Sequence, residues 1–351
     1  MAIPQLLRDL LTAPGPSGYE TAPAAVWRDA AAAFAEVSSD ALGSSVARVP
    51  GVSDGPSLAV LGHIDEIGLM VTHVDDGGFA SVLQIGGTRP EVLLGQRVEL
   101  VTRNGRVPGV VGRKWTKPRR STDKLELEHA DLHIDLGVRS RAEALELLRI
   151  GDVAVVAGEP VELAAGRIAS RSLDNRLGAY VALEAARRVA DAGGAPGDVL
   201  AVAAVQEEVG DFGGARTTVF ALRPQVALAV DVTGATDIPD GDPKLDGEAK
   251  LGAGPILNRG STISPKVFEL LAETAEAEGI AYAVNVSAGD THTDMDAAYA
   301  SRAGIATGLI SLATRYIHTP TEVVSLDDVE ATIRLVAAFA SRLEPGLDFT
   351  R

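Results

Sequence analysis

Two kinds of hydrophobic pattern divide this chain. Over residues 70–162, apolar and polar positions alternate in short segments separated by turn signals. On either side, unbroken apolar runs alternate with segments of helical period. Strands buried on both faces produce such runs, and half-buried strands produce the alternation. Leu6, Leu7, Leu10 and Leu11 share one face of a helix predicted over 4–12, with Pro4 near its first turn. Pro14-Gly-Pro-Ser-Gly18 breaks it. Residues 21–37 predict a second helix and 58–61 a short buried strand.

In the alternating part, 98–102 and 107–111 predict a hairpin whose Asn104-Gly105 suits a type I′ turn. Residues 131–135 and 152–156 read as strands. Ser140 and Glu143 have capping-box spacing and open a short helix ending near Leu148. Beyond 162, Leu177, Tyr180, Val181, Ala185, Arg188 and Val189 predict a helix over 175–192. The runs 199–205, 226–230 and 305–312 read as buried strands, 264–278 as an amphipathic helix and 326–343 as the closing helix. The simplest topology is one α/β domain, 1–69 plus 163–351, interrupted by a β-rich insertion over 70–162.

Composition narrows the function. The 351 residues are 46% hydrophobic and 23% charged, which is globular rather than disordered. A net charge of −16 disfavours nucleic acid and anionic membranes as partners. The chain contains no cysteine, so a metal site must use His, Asp and Glu. The N-terminus lacks a basic stretch followed by an apolar core, and no apolar stretch reaches the roughly 18 residues of a spanning helix. A cytoplasmic protein is expected.

Candidate chemistry gathers where strands end. His63 and Asp65 follow the run 58–61, and Glu207 and Glu208 follow 199–205. Asp231 follows 226–230, His318 lies shortly after 305–312, and Asp174 opens a helix. Open α/β sheets bind ligands at the carboxyl ends of their strands. Imidazole and carboxylate donors suit zinc, cobalt or manganese, and a bridging carboxylate can hold two ions about 3.5–4 Å apart. A carboxylate outside the ligand set would then move the proton, and Glu207 or Glu208 can fill that role. Alternation along a strand would put these two on opposite faces. Taken singly, each residue has a plainer reading: Asp174 as a helix N-cap, Asp231 as a turn residue, the histidines as hydrogen-bonded structural groups, and the glutamates as a solvated strand end. Their joint placement favours the metal site.

Five segments carry a resemblance: Gly62-His-Ile-Asp-Glu-Ile-Gly-Leu-Met70, Ser172-Leu-Asp-Asn-Arg-Leu-Gly178, Val205-Gln-Glu-Glu-Val-Gly210, Ala229-Val-Asp-Val232 and Arg315-Tyr-Ile-His-Thr-Pro-Thr-Glu-Val323. Together they resemble the dinuclear aminopeptidases of metallopeptidase family 42, over nearly the whole chain. The resemblance implies a mixed-sheet, phosphorylase/hydrolase-like catalytic domain with an inserted barrel-like dimerisation domain. It implies two divalent metal ions, zinc first, with cobalt or manganese as alternatives. It implies Asp174 bridging them, His63 and Asp231 on one ion, and Glu208 and His318 on the other. Glu207 would be the general base and acid, and Asp65 would orient His63. Peptides would be the substrates, and the protein a homo-oligomer built from dimers, of the kind that closes into dodecamers.

The chain departs from the family pattern in three places. His292 stands where glycine is common in Thr291-His-Thr-Asp-Met-Asp296, so His292 and Asp294 are candidates for the substrate pocket. Asp211-Phe-Gly-Gly214 replaces a more usual Leu-Arg-Gly. Gly112-Arg-Lys-Trp-Thr-Lys-Pro-Arg-Arg120 lacks a histidine often found there. That basic loop reads as solvated, or else as a contact for an acidic neighbouring subunit or acidic peptides. His73, His129 and His133 fall in the insertion and read as structural. Three rivals remain: a dinuclear deacylase acting on a non-peptide amide, a glycosidase with paired carboxylates, and a non-catalytic peptide-binding relative.

Overall fold

A computed structural model of the protein describes residues 2–114, 127–239 and 241–351. Lys117, Arg119 and Arg120 of the basic loop lie outside the described residues. From the amino end come α1 (Gln5–Thr12), α2 (Thr21–Ala31), β1 (Glu36–Ser39), β2 (Ser45–Val49) and β3 (Leu58–His63). Next are β4 (Gly68–Val74), β5 (Ala80–Ile85), α3 (Pro90–Leu93), β6 (Arg97–Thr102), β7 (Gly105–Arg113), β8 (Leu132–Asp135), α4 (Arg141–Leu147) and β9 (Val153–Val156). There follow β10 (Val161–Glu162), β11 (Arg167–Ser170), α5 (Leu173–Asp191), β12 (Val199–Ala204), α6 (Gly213–Leu222) and β13 (Val226–Gly234). The chain closes with α7 (Pro243–Asp246), β14 (Ile256–Gly260), α8 (Pro265–Ala277), β15 (Ala283–Ser287), α9 (Met295–Ala298), β16 (Ala306–Thr314), β17 (Glu322–Ser325) and α10 (Leu326–Ser341).

Eight strands form one mixed sheet in the order β1-β2-β12-β3-β13-β16-β14-β15. Its four central strands, β12, β3, β13 and β16, run parallel. Every residue of β3 and β12 is buried, which accounts for their unbroken apolar sequence. Helices cover both faces. On one, α5 packs with α1, α2, α8 and α10 in the main core. On the other, Ala215 and Val219 of α6 and Ala297 and Ala298 of α9 cover Leu61, Val202 and Ala227. The parallel strands point their carboxyl ends at one edge, where the sequence places its candidate ligands.

Strands β4-β5-β8-β7-β6-β9 close into a barrel with its own core of Leu69, Val71, Leu100, Ile134 and neighbours. Strand β10 lies outside it, in a small sheet with β11 and β17. Closure removes the free edges that short strands would otherwise expose. The barrel reaches back to the main sheet through the loop after β5. A methyl group on Gly86 would come within 2.7 Å of Ile67 Cγ2, and one on Gly87 within 3.2 Å of His318 Nδ1. His133 sits edge-on to Phe79, with ring centroids 5.0 Å apart, as a structural histidine would. Among the described residues, no helix is long and apolar enough to cross a membrane.

Two local expectations are corrected. The helix predicted over 21–37 stops at Ala31, and Val37 lies in β1. Pairing of β1 with β2 instead satisfies the backbone groups of residues 36–39. The hairpin of β6 and β7 forms, but its turn is not type I′. Gly105 takes positive φ (105°) and Asn104 does not. Asn104 instead donates its side-chain N–H to the Glu146 carbonyl, which holds the tip against the end of α4.

The contact that sets the site is between β3 and α5. Gly62 and Gly178 meet so closely that a Cβ on Gly62 would lie 2.1 Å from the Gly178 carbonyl carbon, and one on Gly178 would lie 2.2 Å from Val230 O. The absence of both side chains brings the start of α5 down onto β3 and β13. Gly62→Ala should therefore push helix and strand apart. The expected cost is about 1–3 kcal/mol of stability, as for overpacking elsewhere, with a parallel loss of divalent-metal affinity. Denaturant unfolding and metal titration of the variant check both, and unchanged metal affinity would count against this account.

Candidate metal centre

His63 is the last residue of β3, and its ring is buried, 2% exposed. Its Nε2 lies 3.2 Å from Asp174 Oδ1 and 3.6 Å from Glu207 Oε2. The other oxygen of Asp174, Oδ2, lies 3.4 Å from His318 Nε2, which is 3.3 Å from Glu208 Oε2. Two donor groups result: His63, Asp174 and Asp231, and Asp174, Glu208 and His318. Within each, donor atoms all lie within 4.8 Å of one another. Asp174 belongs to both, one oxygen to each.

Local structure explains how each donor is aimed. The first residues of α5 are not helical: Asp174 has φ −79° and ψ 108°. Asp174 therefore does not cap the helix. Asn175 does, accepting from Gly178 N at 2.9 Å, while its own amide donates to Val230 O. Asp231 spends one oxygen on the N–H of Val232 at 2.8 Å. Strand β12 ends at Ala204, and Gln206 takes φ 59°. Glu207 and Glu208 thus sit in a turn rather than on a strand. Alternation does not apply, and both carboxylates reach the centre. His318 also has positive φ (62°) and keeps 37% of its side chain exposed, so the second group opens toward solvent.

Asp65 is fully buried and serves three segments. It faces His63 Nδ1 at 3.4 Å, accepts from Glu207 N at 3.2 Å and Glu208 N at 3.1 Å, and takes the Ser17 hydroxyl. Sequence reasoning missed Glu322, which lies in the segment Arg315–Val323. It accepts from Asp174 N at 3.0 Å and His318 N at 2.9 Å, and so ties two candidate ligands together. Only its burial in strand β17 sets it apart, and the sequence gives no sign of that. Beneath the site, Glu66 pairs with Arg171 and Arg176, and Arg176 also donates to Ile64 O at 2.8 Å. Asp294 is buried, its Oδ1 has no hydrogen-bond partner among the described residues, and its charge is felt at Glu207 and Asp231. His292 is exposed, outside both donor groups, with its backbone N–H on Asp296.

The electrostatics fit a pair of cations. Asp174, Glu207, Glu208, Asp231 and Asp294 crowd around two imidazoles, with carboxylates in excess. Burial pushes Glu207 up to about 10, with the charges of Asp231 and Asp294 adding to it against the pull of His63. Burial, then Asp174, raises Asp231 and Glu322 well above the ordinary carboxylate range. Burial alone would lower His63, but Glu207 and the bonds to Asp174 and Asp65 outweigh it and hold it well above its usual value. Bonds to Asp174 and Glu208 bring His318 up to about 11. Glu208 Oε1 is buried with no hydrogen-bond partner. Buried charge of one sign and an orphaned carboxylate oxygen are what bound cations would neutralise.

Solved structures that match nearly the whole of this chain include several aminopeptidases. A TET aminopeptidase from a marine sediment Thaumarchaeota archaeon superimposes with a TM-score of 0.91, at 33% identity, covering 97% of each chain. The Pyrococcus horikoshii TET1 peptidase gives a TM-score of 0.85 at 30% identity, covering 96% of this chain and 99% of that one. The lysyl aminopeptidase of Pyrococcus furiosus is 36% identical over 354 residues, 99% of each chain. The family description "M42 glutamyl aminopeptidase" matches residues 43–335. The chain belongs to this family. It is a peptidase hydrolase, and membership implies divalent metal ions.

Stripped of metal, the protein should lose stability as pH rises. Glu207, Asp231 and Glu322 have folded pKa values above their unfolded ones. Their contribution is full below the ordinary carboxylate value of about 4 and is lost as pH climbs through the folded values. His63 and His318, also raised, lose their share in the same direction. Asp174 and Asp65 are lowered and act oppositely, but only at acid pH. Chelated protein should therefore melt lower at pH 9 than at pH 6. Divalent metal at a hundredfold its Kd should return about 2.7 kcal/mol. Thermal melts at both pH values, with chelator and with zinc, test this. Equal melting of the chelated protein at the two pH values would contradict it.

Proposed function

We propose that this protein removes N-terminal residues from peptides, using two divalent ions and Glu207 as the proton carrier. One observation carries the reading: a single carboxylate, Asp174, faces both imidazoles, one oxygen each, at 3.2 and 3.4 Å. Asp174 would bridge the ions, His63 and Asp231 would complete one set of ligands, and Glu208 and His318 the other. When bound, such a pair of ions polarises a carbonyl and lowers the pKa of a water. Zinc is the first candidate, with cobalt and manganese next, since imidazole and carboxylate accept all three.

The remaining steps belong to the chain's own residues. Glu207 lies beside His63 but outside both donor groups, so its carboxylate is free to take the proton of the attacking water. The same carboxyl then delivers that proton to the departing amine nitrogen. Asp65, at His63 Nδ1, fixes the ring so that Nε2 faces Asp174. We assign Asp294, whose charge reaches Glu207, and His292, two positions before it, to the substrate pocket.

We divide the chain into a catalytic unit, 1–69 and 163–351, and a dimerisation barrel, 70–162. The P. horikoshii relative assembles into a tetrahedron or a large octahedral shell, and by that likeness we infer a homo-oligomer here.

Glu207→Gln should retain both ions by elemental analysis and lose about 10²–10⁴-fold in kcat on aminoacyl anilides. Ordinary turnover in the metal-loaded variant would remove the assigned role. The same anilide panel, run after chelation and after adding back single metals, identifies the working ion and the preferred residue. Turnover of N-acyl amides in place of free-amine substrates would point to a deacylase.

A further inference from the structure

The turn that carries Glu207 and Glu208 is held by carboxylates from elsewhere in the chain. Three successive backbone N–H groups are involved. Those of Glu207 and Glu208 go to Asp65. That of Gln206 goes to Glu20 Oε1 at 3.1 Å, from 186 positions away in sequence. Glu20 is 5% exposed, and the same oxygen accepts from Gly18 N at 2.6 Å. Glu20 occupies the N-cap position of α2, yet its side chain makes no capping bond to that helix. Its carboxylate serves Gly18 and the distant turn instead.

The segment around Glu20 is itself anchored. Ser17 N donates to Glu66 O at 3.2 Å, Glu66 N to Gly15 O at 3.1 Å, and Gly15 N to Glu66 Oε1 at 3.0 Å. The Ser17 hydroxyl reaches Asp65. Residues 15–20 thus form a rigid base under the turn. Gln206 needs such a base, because its φ of 59° is a left-handed conformation that a non-glycine side chain seldom holds unaided.

We propose that Glu20 is a positioning residue for catalysis: by holding the N–H of left-handed Gln206, it sets where the Glu207 carboxylate points. Glu20 touches neither candidate metal ligand group nor the substrate region. It acts through the backbone of its neighbour. This rests on the reading of Glu207 as proton carrier, and the test separates the two.

Glu20→Ser shortens the side chain out of reach of Gln206 while supplying a good N-cap for α2. It should keep both metals by elemental analysis, leave KM within about threefold, and lower kcat by about 10–100-fold, as small misplacements of catalytic groups do. Glu20→Gln retains an acceptor oxygen and should stay within about threefold of the unaltered kcat. Adding Gln206→Gly to Glu20→Ser should recover part of the loss, since glycine takes positive φ freely. Hydrogen exchange of the peptide spanning 205–209, followed by mass spectrometry on the metal-loaded protein, should quicken in Glu20→Ser and not in Glu20→Gln. That readout does not depend on turnover. Unchanged exchange and kcat in Glu20→Ser would overturn the proposal. So would a kcat loss matched by metal loss, or equal damage from Glu20→Gln. Should the unaltered, metal-loaded protein fail to cleave any aminoacyl anilide, the proposed function falls, and the exchange result still decides the role of Glu20.

Discussion

Crowding of like charge around Asp174 governs this structure. Five carboxylates and two imidazoles converge at the carboxyl edge of the parallel strands, and most are buried. No arrangement of neutral groups nearby offsets that much negative charge. Asp174 is the pivot because its two oxygens face different histidines, one at the end of β3 and one beyond β16. Glu322 accepts from the backbone N–H groups of Asp174 and His318, which holds the shared carboxylate beside the second imidazole. The surrounding fold is arranged to hold these groups together: close-packed glycines where α5 meets β3, and ion pairs of Glu66 with two arginines beneath.

Much of this was legible in the sequence. Continuous apolar runs identified the central strands, and the polar residues that interrupt or follow those runs singled out His63, Glu207, Glu208, Asp231 and His318 as candidates. The resemblance then implied roles that spacing had left open, above all between Glu207 and Glu208. Four of the barrel's six strands, β6 to β9, were visible in the sequence, and β4 and β5 were not. Less visible were edge strands such as β1, whose short polar sequence carries no period and whose pairing is decided by its partner.

What the sequence hid was support rather than chemistry. Glu20, Glu66 and Glu322 look like ordinary acidic residues until burial and partners are known. Their bonds go to backbone N–H groups or to arginines far away in sequence, so no local spacing announces them. Asp174 misled in a similar way. At a helix start an aspartate is usually a cap, and here the neighbouring Asn175 takes that duty because the backbone at 174 is bent out of helical form. The turn of Gln206 was equally hidden, since glutamine gives no warning of a left-handed conformation.

The pair Gly86–Gly87 gives the barrel a part in the chemistry. These residues belong to the inserted module, yet they press against Glu208 and His318 of the main domain with no side chain between. The module cannot be excised, or its loop lengthened, without opening the more exposed half of the centre to bulk water. A substitution that tilts the insert against the main domain therefore also shifts the surroundings of Glu208 and His318.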